Sequence, residues 1–246
     1  MEPAIYQTYF EMERKHWWFH ARQEIIFAML EKYGPPLQSA RVLDIGTGTG
    51  SLLEEFKRRG IQATGHDASE HAVKLAASSA QLKVELKKIP EDYRSASAEY
   101  DIVLLLDVLE HVEDDGQALK AALRVLNPGG LLVCTVPAYP KMWSTYDDFC
   151  HHFRRYEKKG LETLVKTAAP ETTVLKFSFF CTLLFPLIAV GRFFERTLMN
   201  RKTYNPFFVP SLLNSLLYSI FRLEKKMLLK SDLPFGSSLL VLLRKP

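Results

Sequence analysis

Val42-Leu43-Asp44-Ile45-Gly46-Thr47-Gly48-Thr49-Gly50 decides the reading of this chain. A short buried strand, Arg41–Ile45, runs into a glycine-rich turn. The segment Ser51–Arg59 then carries Leu52, Leu53 and Phe56 on one helical face, with Gly60 as its stop. Glycines in such a turn let the backbone bend tightly and leave room for a ligand against it. A dinucleotide site asks for a third glycine where Ser51 stands, and a Walker loop asks for a lysine well before Lys57. Asp44 inside the strand is awkward beside a pyrophosphate and suits a cationic group, such as an amino acid's ammonium. Asp67 closes the next strand, Gln62–His66, and a carboxylate there can accept both hydroxyls of a ribose. Glycine turn and strand-end acid together describe a site for a nucleoside with an amino-acid tail.

The α/β rhythm extends outward from this loop. Ser69 can cap a helix reaching about Ala80, and Leu82–Lys87 alternates as a half-exposed edge strand does. Asp101–Leu106 is continuously apolar, as a strand covered on both faces is. A helix from Asp114 or Asp115 should stop at Asn127-Pro128-Gly129-Gly130, before a strand at Leu131–Val136. Lys158–Ala169 reads as a helix, Thr172–Phe179 as a strand and Ser238–Leu243 as the closing strand. The boundaries drawn are a helical cap at 1–38, a cofactor-binding core at 39–180, an apolar helical insertion at 181–234 and the closing strand at 235–246.

The insertion breaks the rhythm. Phe177–Gly191 has no charge, but it is short of the roughly 20 residues of a spanning helix and Pro186 interrupts it. Ser211–Lys230 places leucines at helical spacing beside Arg222, Lys225, Lys226 and Lys230. Three roles suit such a segment: a lid over a hydrophobic acceptor, a membrane-interface element, or core and dimer contact. Residues 1–140 carry 15 Lys/Arg against 20 Asp/Glu, and residues 141–246 carry 17 against 8. The basic half can face an anionic substrate or an anionic membrane. Cys134, Cys150 and Cys181 form no disulfide framework, and the N-terminus lacks a signal-peptide layout, so a cytoplasmic protein, with peripheral membrane association, is expected. No nucleic-acid motif is seen, and no nucleic-acid partner is expected.

VLDIGTGTG, the strand ending in Asp67, YDIVLLLDVLEHVEDD and NPGGLLVCTVP together resemble a class I S-adenosylmethionine-dependent methyltransferase of the type 11/12-like group. The likeness covers roughly residues 16–170 and the final strand. It implies a Rossmann-like, doubly wound, seven-stranded and mostly parallel sheet, with the last strand antiparallel between the fifth and sixth. By the same resemblance Asp44, Gly46, Thr47 and Gly48 line the methionine end of S-adenosyl-L-methionine. Asp67 and Ala68 hold the ribose and flank the adenine, and Leu106 and Asp107 border the sulfonium. The position where the family often has an acid for the adenine amino group is Ile89. Either the backbone near Ile89 makes that contact or Glu91 or Asp92 reaches it.

Residues 138–156 follow the fifth strand, where open α/β sheets present substrates, and hold Tyr139, Trp143, Tyr146, His152, Arg154, Arg155 and Tyr156. His151, oriented by Asp147 at i, i+4 spacing, is the expected general base or acceptor-binding group for a small-molecule acceptor, hydrophobic or lipid-like. Loop-closing hydrogen bonds are the plainer role for the same residues. Asp107, Glu110 and His111 form D-x-x-E-H, but adjacent residues cannot share one helical face. That motif is read as a polar helix start, and no metal is assigned. The competing functions are a methyltransferase-like cofactor-binding protein without turnover and, further off, a nicotinamide-dependent oxidoreductase. Oligomeric state is not legible from these residues.

Overall fold

The computed structural model describes residues 3–198 and 209–246. Two helices, α1 (Pro3–Lys15) and α2 (Trp17–Tyr33), precede the first strand. The core then runs β1 (Arg41–Ile45), α3 (Ser51–Arg58), β2 (Gln62–Asp67), α4 (Glu70–Ala80), β3 (Val84–Leu86), β4 (Tyr100–Leu106), α5 (Asp115–Val125) and β5 (Leu126–Pro137). It continues through α6 (Thr145–Phe149), α7 (Lys158–Ala168), β6 (Thr173–Phe180), α8 (Phe185–Leu198), α9 (Ser211–Leu228) and β7 (Ser238–Arg244). The seven strands form one sheet in the order β3-β2-β1-β4-β5-β7-β6. β7 runs antiparallel between β5 and β6, and every other core pairing is parallel. This is the Rossmann-like class I architecture that the resemblance implies.

Side-chain alternation explains the two covered faces. In β1 and β4, Leu43, Ile45, Val103 and Leu105 pack with α5 and α7. Val42, Ile102, Leu104 and Leu106 point the other way, toward α2, α3 and α9. A continuously apolar strand is what a doubly covered position demands. The helix caps follow their sequence signals: Ser69 accepts from the Ala72 amide at 3.4 Å, and Asp114 from that of Gln117 at 2.9 Å.

Two boundaries differ from the sequence reading. β3 is shorter than Leu82–Lys87: Val84, Glu85 and Leu86 pair in register with β2, and Lys83 and Lys87 make only the flanking backbone bonds to Gly65 and Asp67. The NPGG run is not a loop outside the sheet. Pairing jumps from Tyr100↔Leu126 to Ile102↔Leu131, so these residues make an irregularity inside β5, with Gly129 at φ +74°.

The helices between β6 and β7 are in part core. Trp18 stacks on Phe180 and Phe221, and Trp17 meets Phe221 edge-on at 5.7 Å. Leu217, Phe221 and Leu228 thereby bury one face of α9 against α2. The opposite face is apolar as well: Leu212 is 87% exposed, Leu216 56% and Leu223 54%. No helix of the described residues is long and apolar enough to cross a membrane.

Candidate active site

The loop after β1 is held by its own amides. Gly46 and Thr47 both donate to the His66 carbonyl, at 2.8 and 3.1 Å, and Gly50 donates to that of Thr47. The Gly48 amide donates to Asp67 Oδ2 at 2.9 Å, and the Ser69 amide to Asp67 Oδ1 at 2.9 Å. A phosphate would therefore find four of the loop's N–H groups already committed. The Asp67 carboxylate, an acceptor of up to about four hydrogen bonds, keeps capacity for a hydroxyl donor. Gly46 sits at φ +75°, and a Cβ there would lie 2.5 Å from Val108 Cγ2, so only glycine fits the bend.

The charges around the loop favour a cation. Asp44 is buried and accepts from Thr47 Oγ1 at 2.9 Å. Burial pushes its carboxyl up to about 7, with the neighbouring Glu13 and Asp67 carboxyls adding to the rise. Glu13, on α1, is buried over the same loop: its Oε2 accepts from Thr49 Oγ1 at 2.6 Å, and a Cβ on Gly48 would be 2.9 Å from its Oε1. Burial raises its carboxyl too. Arg22, on α2, lowers both acids and is ion-paired with Asp107, whose other oxygen accepts from Thr135 Oγ1 at 3.1 Å. Arg14 ties α1 down through Thr49 and through Glu54 at 2.6 Å. Two buried acids, Asp44 and Glu13, and the Arg22 guanidinium thus lie around the glycine turn.

Asp44, Gly46, Thr47, Gly48 and Asp67 are brought together as the sequence suggests. Asp107 takes φ +58° just past β4, next to the buried Leu106, and Ala68 is exposed beside Asp67. Ile89 is buried in the core cluster that holds Tyr93 and Tyr100. Glu13, Arg14 and Arg22 were not singled out from sequence. Their role comes from tertiary contact, and the only local hint is their cluster of charges beside the aromatic run.

Asp44 sets a pH signature. Below about 7 the folded chain holds a proton there that the unfolded chain releases in the ordinary carboxylate range, so the free protein loses stability as pH rises through that window. A ligand ammonium needs the ionised form. S-adenosylmethionine affinity should rise roughly 25-fold between about pH 5.5 and 7.5, following the ionised fraction of Asp44. Asp44→Asn should flatten the profile, and calorimetric titration across that range checks it.

The acceptor side differs from expectation in one pair. α6 ends at Phe149, and His151 turns outward at φ +55°, exposed. Asp147 is instead fully buried beneath His152, whose Nδ1 lies 2.9 Å from Asp147 Oδ1. Arg155 Nη1 donates to the same oxygen at 2.8 Å, and the Ser144 amide and hydroxyl donate to Oδ2 at 2.9 and 3.1 Å. Arg192 approaches within 3.6 Å. These donors hold the carboxyl far below its ordinary range against the cost of burial. Asp147 therefore closes the loop and orients His152, and does not orient His151.

Glu110 and His111 also change place. They sit in a 3-10 turn, Leu109–His111, where the argument from helical faces does not hold. Their side chains meet His152, with the two imidazole rings edge-to-face at 4.6 Å.

Comparison with known proteins follows the same line. Residues 18–168 match the methyltransferase-domain family. The ubiquinone biosynthesis O-methyltransferase of Cereibacter sphaeroides (strain ATCC 17025) is 34% identical over 145 residues, 55% of this chain and 57% of that protein. The chain thus spans little more than half the length of the curated relatives it matches. Among solved structures, the plantazolicin methyltransferase BpumL in complex with SAH superposes with a TM-score of 0.61 at 16% identity, over 99% of this chain and 90% of that one. A SAM-dependent methyltransferase from Archaeoglobus fulgidus gives 0.55 at 20% identity, over 91% and 94%. These two likenesses are of fold. Family match and sheet order agree, and the chain belongs to the class I S-adenosylmethionine-dependent methyltransferases.

Proposed function

We propose that this enzyme methylates an apolar, lipid-like small molecule, which it meets at an anionic membrane surface. The observation that carries this reading is the outer face of α9. Leu212, Leu216, Leu223 and Met227 form an exposed stripe, flanked by the exposed Arg222, Lys226 and Lys230. Leu187 and Val190 of α8 are exposed too. Apolar side chains rimmed by cations are the chemistry of an interfacial helix. The resemblance to ubiquinone biosynthesis O-methyltransferases supports an oxygen acceptor.

When bound, S-adenosylmethionine would supply an electrophilic methyl: the acceptor's lone pair would form the new bond as the methyl–sulfur pair returns to sulfur, and the acceptor's proton would pass to water. The chain's residues align and shield that exchange. Asp67, with Ala68 beside it, takes the ribose. Asp44 and Glu13 take the ammonium, with Gly46, Thr47 and Gly48 against the tail, and Arg22 takes the carboxylate. Leu106 and Asp107 border the reacting centre, and the backbone near Ile89 lies toward the adenine. The acceptor enters beyond the carboxyl ends of the strands, toward His152.

Incubation with methyl-labelled cofactor and a bacterial lipid extract should move label into the organic phase. Paired Leu216→Glu and Leu223→Glu changes should end flotation with phosphatidylglycerol vesicles and leave cofactor affinity unchanged. Label confined to the aqueous phase, or equal flotation by wild type and double variant, would rule this acceptor class out.

A further inference from the structure

Arg192 Nη1, on α8, is buried and has no hydrogen-bond partner among the described residues. A buried donor without an acceptor is costly, and folded chains keep few of them. The carboxylate it approaches, Asp147, cannot serve. Asp147 Oδ1 takes Arg155 Nη1 at 2.8 Å and faces His152 Nδ1 at 2.9 Å, and Oδ2 takes the Ser144 amide and hydroxyl. Those contacts use up the roughly four lone-pair sites of a carboxylate. Arg192 Nη1 stands at 3.6 Å, beyond hydrogen-bond reach. The charges leave the same remainder. Asp147 is matched by Arg155 and Asp107 by Arg22. Burial and the Asp107 charge push the Glu110 carboxyl, beside His152, well above its usual range. Among these residues the Arg192 charge is left over.

An apolar wall adjoins this cation. Tyr139 stacks on Phe179 at 5.3 Å and meets Phe185 at 5.5 Å, and Phe185 meets Phe235 at 5.9 Å. Phe235 is 43% exposed, so the wall reaches solvent. Arg155 links the two features, donating through Nε to the Tyr139 carbonyl at 3.2 Å and through Nη1 to Asp147. Phe185 and Arg192 lie two helical turns apart on α8 and share a face, about 10 Å from one another along the axis. We propose that Arg192 reads an oxyanion on the acceptor, a carboxylate or a phosphate, while the acceptor's apolar part lies along Phe185 and Phe235. The planar guanidinium fork matches both groups. Its side chain is 23% exposed, so the anion enters from the open side and a small rotation brings Nη1 onto it. This assignment rests on the acceptor reading of the preceding section and narrows its lipid-like class to acidic amphiphiles.

The test uses the full chain loaded with S-adenosylhomocysteine, in about 0.15 M salt so that surface charges are screened. Decanoate, decyl phosphate and decanol share one tail and differ in the head. Each is titrated by calorimetry below any micelle-forming concentration. At least one charged probe should bind about tenfold or more tighter than decanol, as a charge-assisted hydrogen bond allows. Which of the two does so separates carboxylate from phosphate. Arg192→Gln should abolish that preference and leave the affinities for decanol and S-adenosylhomocysteine within about twofold. Its Tm should stay within about 2 °C of wild type, since Asp147 keeps its other donors. Lys159→Gln, at an exposed lysine of α7, should keep the preference. Equal binding of all three probes by the wild type, or an undiminished preference in Arg192→Gln, would overturn the assignment and leave the lipid-like reading intact. Absence of binding by all three, decanol included, would overturn both.

Discussion

Asp67→Ala is expected to lower the affinity for S-adenosylmethionine by about two to four orders of magnitude. A hydrogen bond to a charged group contributes about 1.5–3 kcal/mol, and the two ribose hydroxyls together give about 3–6 kcal/mol, with 1.4 kcal/mol per tenfold. The same substitution removes the acceptors of the Gly48 and Ser69 amides, so the loop that cradles the tail loosens as well. Asp67→Asn should fall between, since it retains an acceptor oxygen and loses the charge. Calorimetric titration of the three proteins reads this directly. Equal affinities for wild type and Asp67→Ala would remove the carboxylate from the site.

Asp147→Ala should cost the most in stability. Asp147 is fully buried, and its loss leaves Arg155, itself buried, and His152 without their carboxylate. Breaking a buried pair from one side costs about 3–5 kcal/mol, which for a domain near this size is about 6–20 °C in Tm. The effect should appear in thermal unfolding of the free protein. His151→Ala, at an exposed turn, should unfold within about 2 °C of wild type. Similar losses in both variants would mean that the network around Asp147 does not hold this loop.

The parts legible in the sequence are those governed by local geometry. The glycine turn is dictated by φ, the strand-end acid by its place after a β-unit, and β4 by a continuous apolar run that only double cover explains. Residues 147 and 151 illustrate the limit. An i, i+4 pair exists only while a helix continues, and α6 stops at Phe149, so the positive φ of His151 swings that ring out and lets His152 take the carboxylate. Glu110 and His111 fail the same way, through a tighter turn than an α-helix. Glu13 and Arg22 were invisible because their partners lie far along the chain, at Thr49 and Asp107. The leucines of α9 follow one spacing on two faces. Periodicity marked them as apolar but could not say that Leu217 and Phe221 meet α2 while Leu212 and Leu216 meet solvent.

The central claim is that the bend at Gly46–Gly50 and the carboxylate of Asp67 hold an adenosyl group whose charged tail carries no phosphate. Its most direct test is a side-by-side titration of the wild-type protein with S-adenosylmethionine, S-adenosylhomocysteine and NADH. Saturable binding of the first two, with none of the third, is the predicted result. Affinity for NADH in a protein indifferent to both sulfur nucleosides would contradict it.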